Sequence, residues 1–383
     1  MKRVTFNRSR LIPGIAFAGV ITSLIFSAGC IKTVDNKDLK DFQQVILVAN
    51  KAAYGPANVD TIQQNSWGLA FSAGGVAWVN ANAGHVSALY NATTGATLRA
   101  AVGIPGPTTP TGGTPTGIVF NSGAGFALPT NHAKAAFIFV GDDGVLSAWN
   151  GAAGANAVRI ANNSAWAVYT GLALAANGSA NFLYAANFKS GKIEVWDTSW
   201  NPVTMMFKDP GLPSGYSPFN IQAVGSWLFV MYAKVGPEGD EVHQEGAGFV
   251  SVFNPDGSFV KRFASRGTLN APWGVTQAPA SFLEGMDNDG DDKSHGDGKG
   301  NGNNRDSIPV ILVGNFGDGH INVFTLDGRF QGQMRTHSHT LVIDGLWALS
   351  FAPATATTLN PNWLYFTAGP KDETDGEFGY IMK

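Results

Sequence analysis

The stretch NFLYAANFKSGKIEVWD, Asn181 to Asp197, decides the fold. An apolar run ends at a tight polar turn with Gly191. A second, alternating run then closes on Trp196 and Asp197. That order of strand, glycine turn and strand is a β-hairpin. The phrase returns as IPVILVGNFGDGHINVFTLDG, Ile308 to Gly328. Hairpins in series at a regular period predict a radial β architecture.

Working outward, six units follow one another, each roughly 40 to 60 residues long, as propeller blades are. They open at Ser66, Pro115, Tyr169, Pro218, Ala271 and Asp344. Most open with a small residue beside an apolar strand: WGLAF, TGIVF, TGLAL, WGVTQ, LWALSF. Innermost strands crowding a common axis need such residues, because the backbones approach closely there. Later strands, VSALYN, LSAWNG, IEVWDT, VSVFNPDG and INVFTLDG, alternate and carry an aromatic near their ends. Those aromatics are expected between adjacent blades, where each buries on the order of 150–250 Å². The last unit, ending GYIMK, lacks an outer strand, and the lone strand Phe42 to Val48 can supply it. The expected fold is therefore all-β, a six-bladed β-propeller closed by an N-terminal strand that completes the last blade. Such closure removes open strand edges. Separate β-sandwiches, or another blade count such as seven, are the alternatives.

Composition agrees. Charged residues are 14% and glycines number 48 of 383, which suits sheets joined by tight turns. The net charge is −3, and setting aside Lys2, Arg3, Arg8 and Arg10 leaves −7. A mildly acidic body argues against a nucleic-acid partner.

Residues 1–29 read as a signal peptide: a basic start, an apolar run from Leu11 to Phe26, then Ser27, Ala28 and Gly29. The apolar run contains Pro13 and is shorter than the ~20 residues that span a bilayer. Cys30 is the sole cysteine, so no intrachain disulfide can form. The small residues before Cys30 resemble the bacterial lipoprotein signal, although Ser27 stands where Leu is usual. That resemblance implies lipidation of Cys30, and Ile31 after it implies the outer membrane, on its periplasmic face or at the cell surface. The membrane is then a partner through the acyl chains, each buried CH₂ contributing ~0.8 kcal/mol. Residues 30–41 are expected to be a tether, residues 42–383 the propeller, and residues 284–307 a flexible insert rich in Asp and Gly.

The repeats resemble NHL-type and gluconolactonase-type propellers. They are more similar to a family of secreted bacterial propellers. The shared motifs lie at Asn65 to Gly68, Leu89 to Gly95, Pro115 to Asn121, Phe137 to Gly144 and Asp344 to Leu349. The resemblance covers Phe42 to Lys383 and implies fold and secretion without an activity. Gluconolactonase-type enzymes place a metal-binding Glu on the first strand, where this chain has Gly or Leu.

Aligned hairpins put Asn82, Asp142, Asn187 and Asn315 at equivalent places, each ending the second strand of a blade. There they form a candidate channel-mouth site for Ca²⁺ or a small polar molecule, since hard cations take carboxylate and amide oxygens. Capping of the turns by the same side chains is the plainer reading. In the insert, Asp287, Asp289 and Asp291 alternate as calcium ligands do. An EF-hand counted from Asp287 fails, with Asp292 where Gly is needed and Gly298 where Glu is needed. His337 and His339 alternate near Asp344, a weak metal signal. No Gly-x-Ser-x-Gly elbow, P-loop or His-Glu-x-x-His helix occurs. The expectation is a membrane-anchored, non-catalytic binding or protein-interaction module of the bacterial envelope, with an envelope protein or a small polar ligand as partner. A metal-dependent propeller hydrolase of lactonase or lyase type is the alternative.

Overall fold

A computed structural model describes residue 34, residues 36–283 and residues 309–383. The expected signal segment, Cys30 and the carboxylates Asp287, Asp289 and Asp291 lie outside the described residues. Among the described residues the strands form six sheets, five of four strands and one of five. Each four-stranded sheet is a meander in which every strand lies beside the next in sequence.

The innermost strands are Ser66–Phe71, Pro115–Phe120, Tyr169–Asn177, Tyr216–Val224, Pro272–Gln277 and Leu346–Phe351. We number the blades 1 to 6 in that order. Each innermost strand touches the next, and that of blade 6 returns to that of blade 1. The sheets therefore share one axis, and the fold is a six-bladed β-propeller. Each innermost strand also shows a register shift against its neighbour, in blade 3 between Tyr169 and Gly171. Such irregularities bend a strand and increase its twist. Close approach explains the small residues: a Cβ on Gly117 would lie 2.6 Å from the backbone N of Leu172 in the next blade.

Apolar residues gather into six clusters between neighbouring blades and one on the axis. The third-strand aromatics Tyr90, Trp149, Trp196, Phe253 and Phe324 all sit in inter-blade clusters, as the alternation predicts.

Closure follows the expected route. Gln43–Ala49 pairs antiparallel with Glu377–Met382, from Gln43 opposite Met382 to Ala49 opposite Glu377. A short strand, Asn58–Val59, adds in parallel outside it. The packed body starts earlier than the sequence suggests, inside the expected tether. Val34 and Leu39 bury with Phe42 in the cluster between blades 5 and 6. The backbone there is tied by Arg335 N–H to Leu39 C=O (2.8 Å) and by Phe42 N–H to Arg335 C=O (3.0 Å). The reason is apolar spacing: a 3₁₀ turn, Asn36–Leu39, presents Leu39 to that core within an otherwise polar segment.

Asp375 locks the closure. Its buried carboxylate accepts from Asn50 Nδ2 (3.0 Å) and Tyr54 OH (2.7 Å) and pairs with Lys51 Nζ (2.6 Å). Burial alone would raise its pKa. The Lys51, Asn50 and Tyr54 contacts outweigh burial and hold it well below the usual carboxylate range. A carboxyl whose folded pKa is depressed stabilises the fold above its unfolded pKa, about 3.9, and that contribution fades as pH falls through the folded value. Asp375→Asn is expected to cost about 2–3 kcal/mol at neutral pH, the cost of leaving buried polar groups poorly matched. In denaturant unfolding the gap from wild type should narrow below pH of about 4. A gap constant down to the acid limit would contradict the lock.

Candidate functional site at the acidic channel mouth

The axis is closed midway by aromatic rings. Trp347, fully buried, stacks on Trp67 (3.6 Å between centroids) and on Phe316 (3.8 Å). Trp273 meets Trp347 edge-on, and Phe219 packs tilted beside it. Innermost strands supply four of these rings, so the residues that begin the blades also fill their centre. Offset and edge-on aromatic pairs each add about 0.5–1.5 kcal/mol beyond area burial.

The plug separates two cavities. One, of about 380 Å³, lies among the apolar later halves of the innermost strands, including Leu69, Leu172 and Leu349. The other, of about 1080 Å³, opens where those strands begin. Polar groups converge on this second cavity, which makes it the candidate site.

Its carboxylates come from connections. Asp142 follows the second strand of blade 2. Glu238, Asp240 and Glu241 sit in the connection between Trp227–Lys234 and Gly248–Phe253 of blade 4. Glu373 sits between Leu364–Ala368 and Glu377–Met382 of blade 6. Lys371, Asp372 and Glu373 all have positive φ, at 56°, 51° and 63°. Side chains with a Cβ pay roughly 1–2 kcal/mol each for that conformation, and such outliers cluster at functional sites.

A hydrogen-bond chain joins the plug to the rim. Trp347 Nε1 donates to Asn65 Oδ1 (2.9 Å), and Asn65 Nδ2 donates to Glu373 Oε2 (2.8 Å). Asn82 N–H donates to Asn65 C=O (3.0 Å), and Asn82 Nδ2 donates to Asp142 Oδ2 (3.2 Å). Thr114 Oγ1 donates to the other Asp142 oxygen. Across the mouth His243 Nε2 lies 3.3 Å from Glu241 Oε1 and edge-on to Phe316.

Burial, with the Glu241 charge behind it, pushes the Glu373 carboxyl up to about 7. Burial raises Asp142 too, against the bonds from Thr114 and Asn82. The Glu241 carboxylate raises His243. Trp67 and Thr170 line the cavity, and each carries a buried polar atom without a partner, Nε1 and Oγ1.

Of the four residues expected at the mouth, the structure brings Asn82 and Asp142 together, and Asp142 lines the cavity. Asn187 is fully buried and occupied in its turn: Oδ1 accepts from Val168 and Ser190 N–H, and Nδ2 donates to Glu194. Asn315 donates to Thr268 C=O and to Asp318. His337 is exposed and lies 2.8 Å from Asp41, away from the mouth. Among the described residues no group of three His, Cys, Asp or Glu side chains is placed to hold a metal ion.

Sequence reading missed Glu241, His243 and Glu373 because it looked for acids on the innermost strands. The signal lay in loop length. Connections between second and third strands are short in blades 1, 2, 3 and 5, but long and acidic in blade 4 (GPEGDEVHQEG) and blade 6 (GPKDETDG).

No family model matches the chain. It is 34% identical over 286 residues to the uncharacterized protein L690 of Acanthamoeba polyphaga mimivirus, covering 70% of this chain and 67% of that protein. It is 36% identical over 227 residues to the uncharacterized protein R648 of the same virus, covering 56% of this chain and 48% of that one. Among solved structures, virginiamycin B lyase from Staphylococcus aureus aligns with a TM-score of 0.49 at 10% identity, over 90% of this chain and 99% of that one. The relatives are viral, so the expectation of a bacterial envelope protein rests on the sequence motifs alone.

The titration of Glu373 can be measured directly. A carboxyl-carbon NMR titration should give a midpoint near 7. Glu241→Gln should lower it by removing a facing negative charge, with Asp142 and His243 left in place. A midpoint in the ordinary range for glutamate, about 4.3, would contradict the enclosed mouth.

Proposed function

We propose that the protein, which belongs to the same family as the mimivirus protein L690, is a binding module that takes a small polar ligand at the acidic end of its channel. One observation carries this reading. A cavity of about 1080 Å³ is lined by Trp67 and Thr170, whose side chains carry buried, unpartnered hydrogen-bonding groups, Nε1 and Oγ1. A buried donor left unpaired costs about 1–3 kcal/mol, which a ligand oxygen recovers where binding uncovers the group. Trp67 also makes the site self-reporting, because its ring faces both the cavity and the plug. Tryptophan emission should change saturably with a bound polar ligand, and Trp67→Phe should remove most of that change. A panel of polar ligands that leaves both emission and melting temperature unmoved would end the reading.

An enzyme of lactonase or lyase type is the second reading. The observation favouring it is Glu373, held near pKa 7 with the Glu241–His243 pair across the mouth. General acids and bases work best with a pKa near the operating pH. Turnover of lactone or ester substrates, abolished by Glu373→Gln, would favour this reading over simple binding.

The protein is further proposed to be exported and anchored through lipid on Cys30, in an outer membrane. The support is the basic start, the apolar run and the small residues before the sole cysteine. Expressed in bacteria, the wild-type chain should incorporate labelled palmitate and sediment with membranes, whereas Cys30→Ser should do neither. Equal labelling of both would remove the anchor. Calcium on Asp287, Asp289 and Asp291 is proposed from carboxylate spacing, and an envelope protein is proposed as a further partner. Calorimetric heat at millimolar Ca²⁺ that vanishes on deleting residues 287–292 would support the calcium site, and its absence would exclude it.

A further inference from the structure

We infer that the mouth selects an organic cation, a protonated amine on a molecule that also presents a hydroxyl or carbonyl oxygen. The inference rests on the binding reading above and names the ligand class for that cavity.

Charge gives the first half. Asp142, Glu238, Asp240, Glu241 and Glu373 line the cavity. Against them stand His243, paired with Glu241, and Lys189, whose Nζ reaches the Ala165 carbonyl at 3.4 Å. An anion entering here would meet the carboxylates of the blade 4 connection, and it would oppose ionisation of Asp142 and Glu373, whose pKa values burial already raises, whereas a cation favours it. A cation gains from the same walls, and gains more as water is displaced, because the effective dielectric falls. The aromatic lining of Trp67, Phe188 and Tyr216 suits a cation as well, through the negative faces of the rings.

The floor gives the second half. Trp67 Nε1 is a donor only. It is buried and unpartnered, and no cation can satisfy it. Thr170 Oγ1, equally buried and unpartnered, can donate or accept. A ligand that brings an oxygen acceptor to the floor, where a small shift of these side chains uncovers them, satisfies both while its positive group remains among the carboxylates.

Size and geometry favour an organic cation over a bare metal ion. Ca²⁺ needs six to eight oxygens at about 2.3–2.6 Å. Among the described residues no group of three acidic or histidine side chains is placed to begin such a shell. A cavity of about 1080 Å³ has room for a molecule of several rings or bonds. Aminated sugars and amino alcohols share the required chemistry.

Isothermal titration of the full-length protein distinguishes these possibilities. The probes are the glucosamine dimer with free amines, its N-acetylated counterpart, ethanolamine, spermidine, glucuronate and Ca²⁺ alone. The free-amine dimer or ethanolamine should bind, and N-acetylation should weaken the dimer by roughly tenfold or more, a factor that corresponds to about 1.4 kcal/mol. Spermidine, with charge but no oxygen acceptor, should bind more weakly than the amine that carries oxygen. Trp67→Phe keeps a ring and removes the N–H. It should weaken the oxygen-bearing amine several-fold and spermidine much less, since only the difference between two aromatic faces is lost there. Glu373→Gln should weaken both, and Glu241→Gln, in a more exposed loop, repeats the charge test if Glu373→Gln melts early.

Equal or tighter binding of the N-acetylated dimer or of glucuronate overturns the cation claim while leaving the binding module intact. Binding of Ca²⁺ that displaces the amine also overturns it. Silence from every probe, anionic and neutral included, overturns the binding reading itself.

Discussion

The structure depends on one pairing, between the strand Gln43–Ala49 and the last strand Glu377–Met382. A ring of blades has no natural end. Each blade buries an apolar face on its neighbour, so a ring left open would expose two such faces and two strand edges. Here the two ends of the described chain supply both sides of the last junction. Leu39 and Phe42 from one end meet Phe366 and Ile381 from the other in the apolar cluster between blades 5 and 6, and Leu47 and Val48 meet Phe378 and Tyr380 in the one between blades 6 and 1. Lys383 Nζ donates to the carbonyls of Asp38 and Leu283, beside the same seam.

The seam also builds the mouth. Asp375 is held by Asn50, Lys51 and Tyr54, which follow the closing strand. Glu373, two residues earlier, reaches into the cavity from the same connection. The positive φ of Lys371, Asp372 and Glu373 is held by Lys371 N–H to Asp344 Oδ2 (3.0 Å), by Glu373 N–H to Gly369 C=O (3.1 Å) and, at the end of the turn, by the Asp375 lock. From Glu373 the bonds run inward through Asn65 to Trp347. Closure, the axial plug and the acidic rim are thus one mechanical unit, so loosening the closing strand would loosen the site before the far blades.

Much of the fold was legible because its causes are local and repeated. A hairpin's turn chemistry and a small residue on an innermost strand recur from blade to blade, and repetition averages out an exception such as Asn220 in blade 4. The lone strand at Phe42 was legible by subtraction, since one blade lacked an outer strand. The packing of Val34 and Leu39 was not, because two apolar residues in a charged segment make no periodic pattern. The site was legible only in part. Asp142 lies on the repeat and could be aligned, whereas Glu241, His243 and Glu373 lie on connections that break it. Convergence of three loops on one axis is a consequence of ring geometry, and no local spacing encodes it. Equivalent positions also diverge in role: Asn82 meets Asp142 at the rim, while Asn187 and Asn315 are occupied by their own turns.

Native-state hydrogen exchange along the closing strand tests the central claim most directly. If the ring depends on this pairing, the amides of Gln43–Ala49 that bond to Glu377–Met382 should exchange only through global unfolding, with the same denaturant dependence as the inner strands. Exchange of that strand through a low-energy local opening, while the inner strands stay protected, would show that the blades hold together without it.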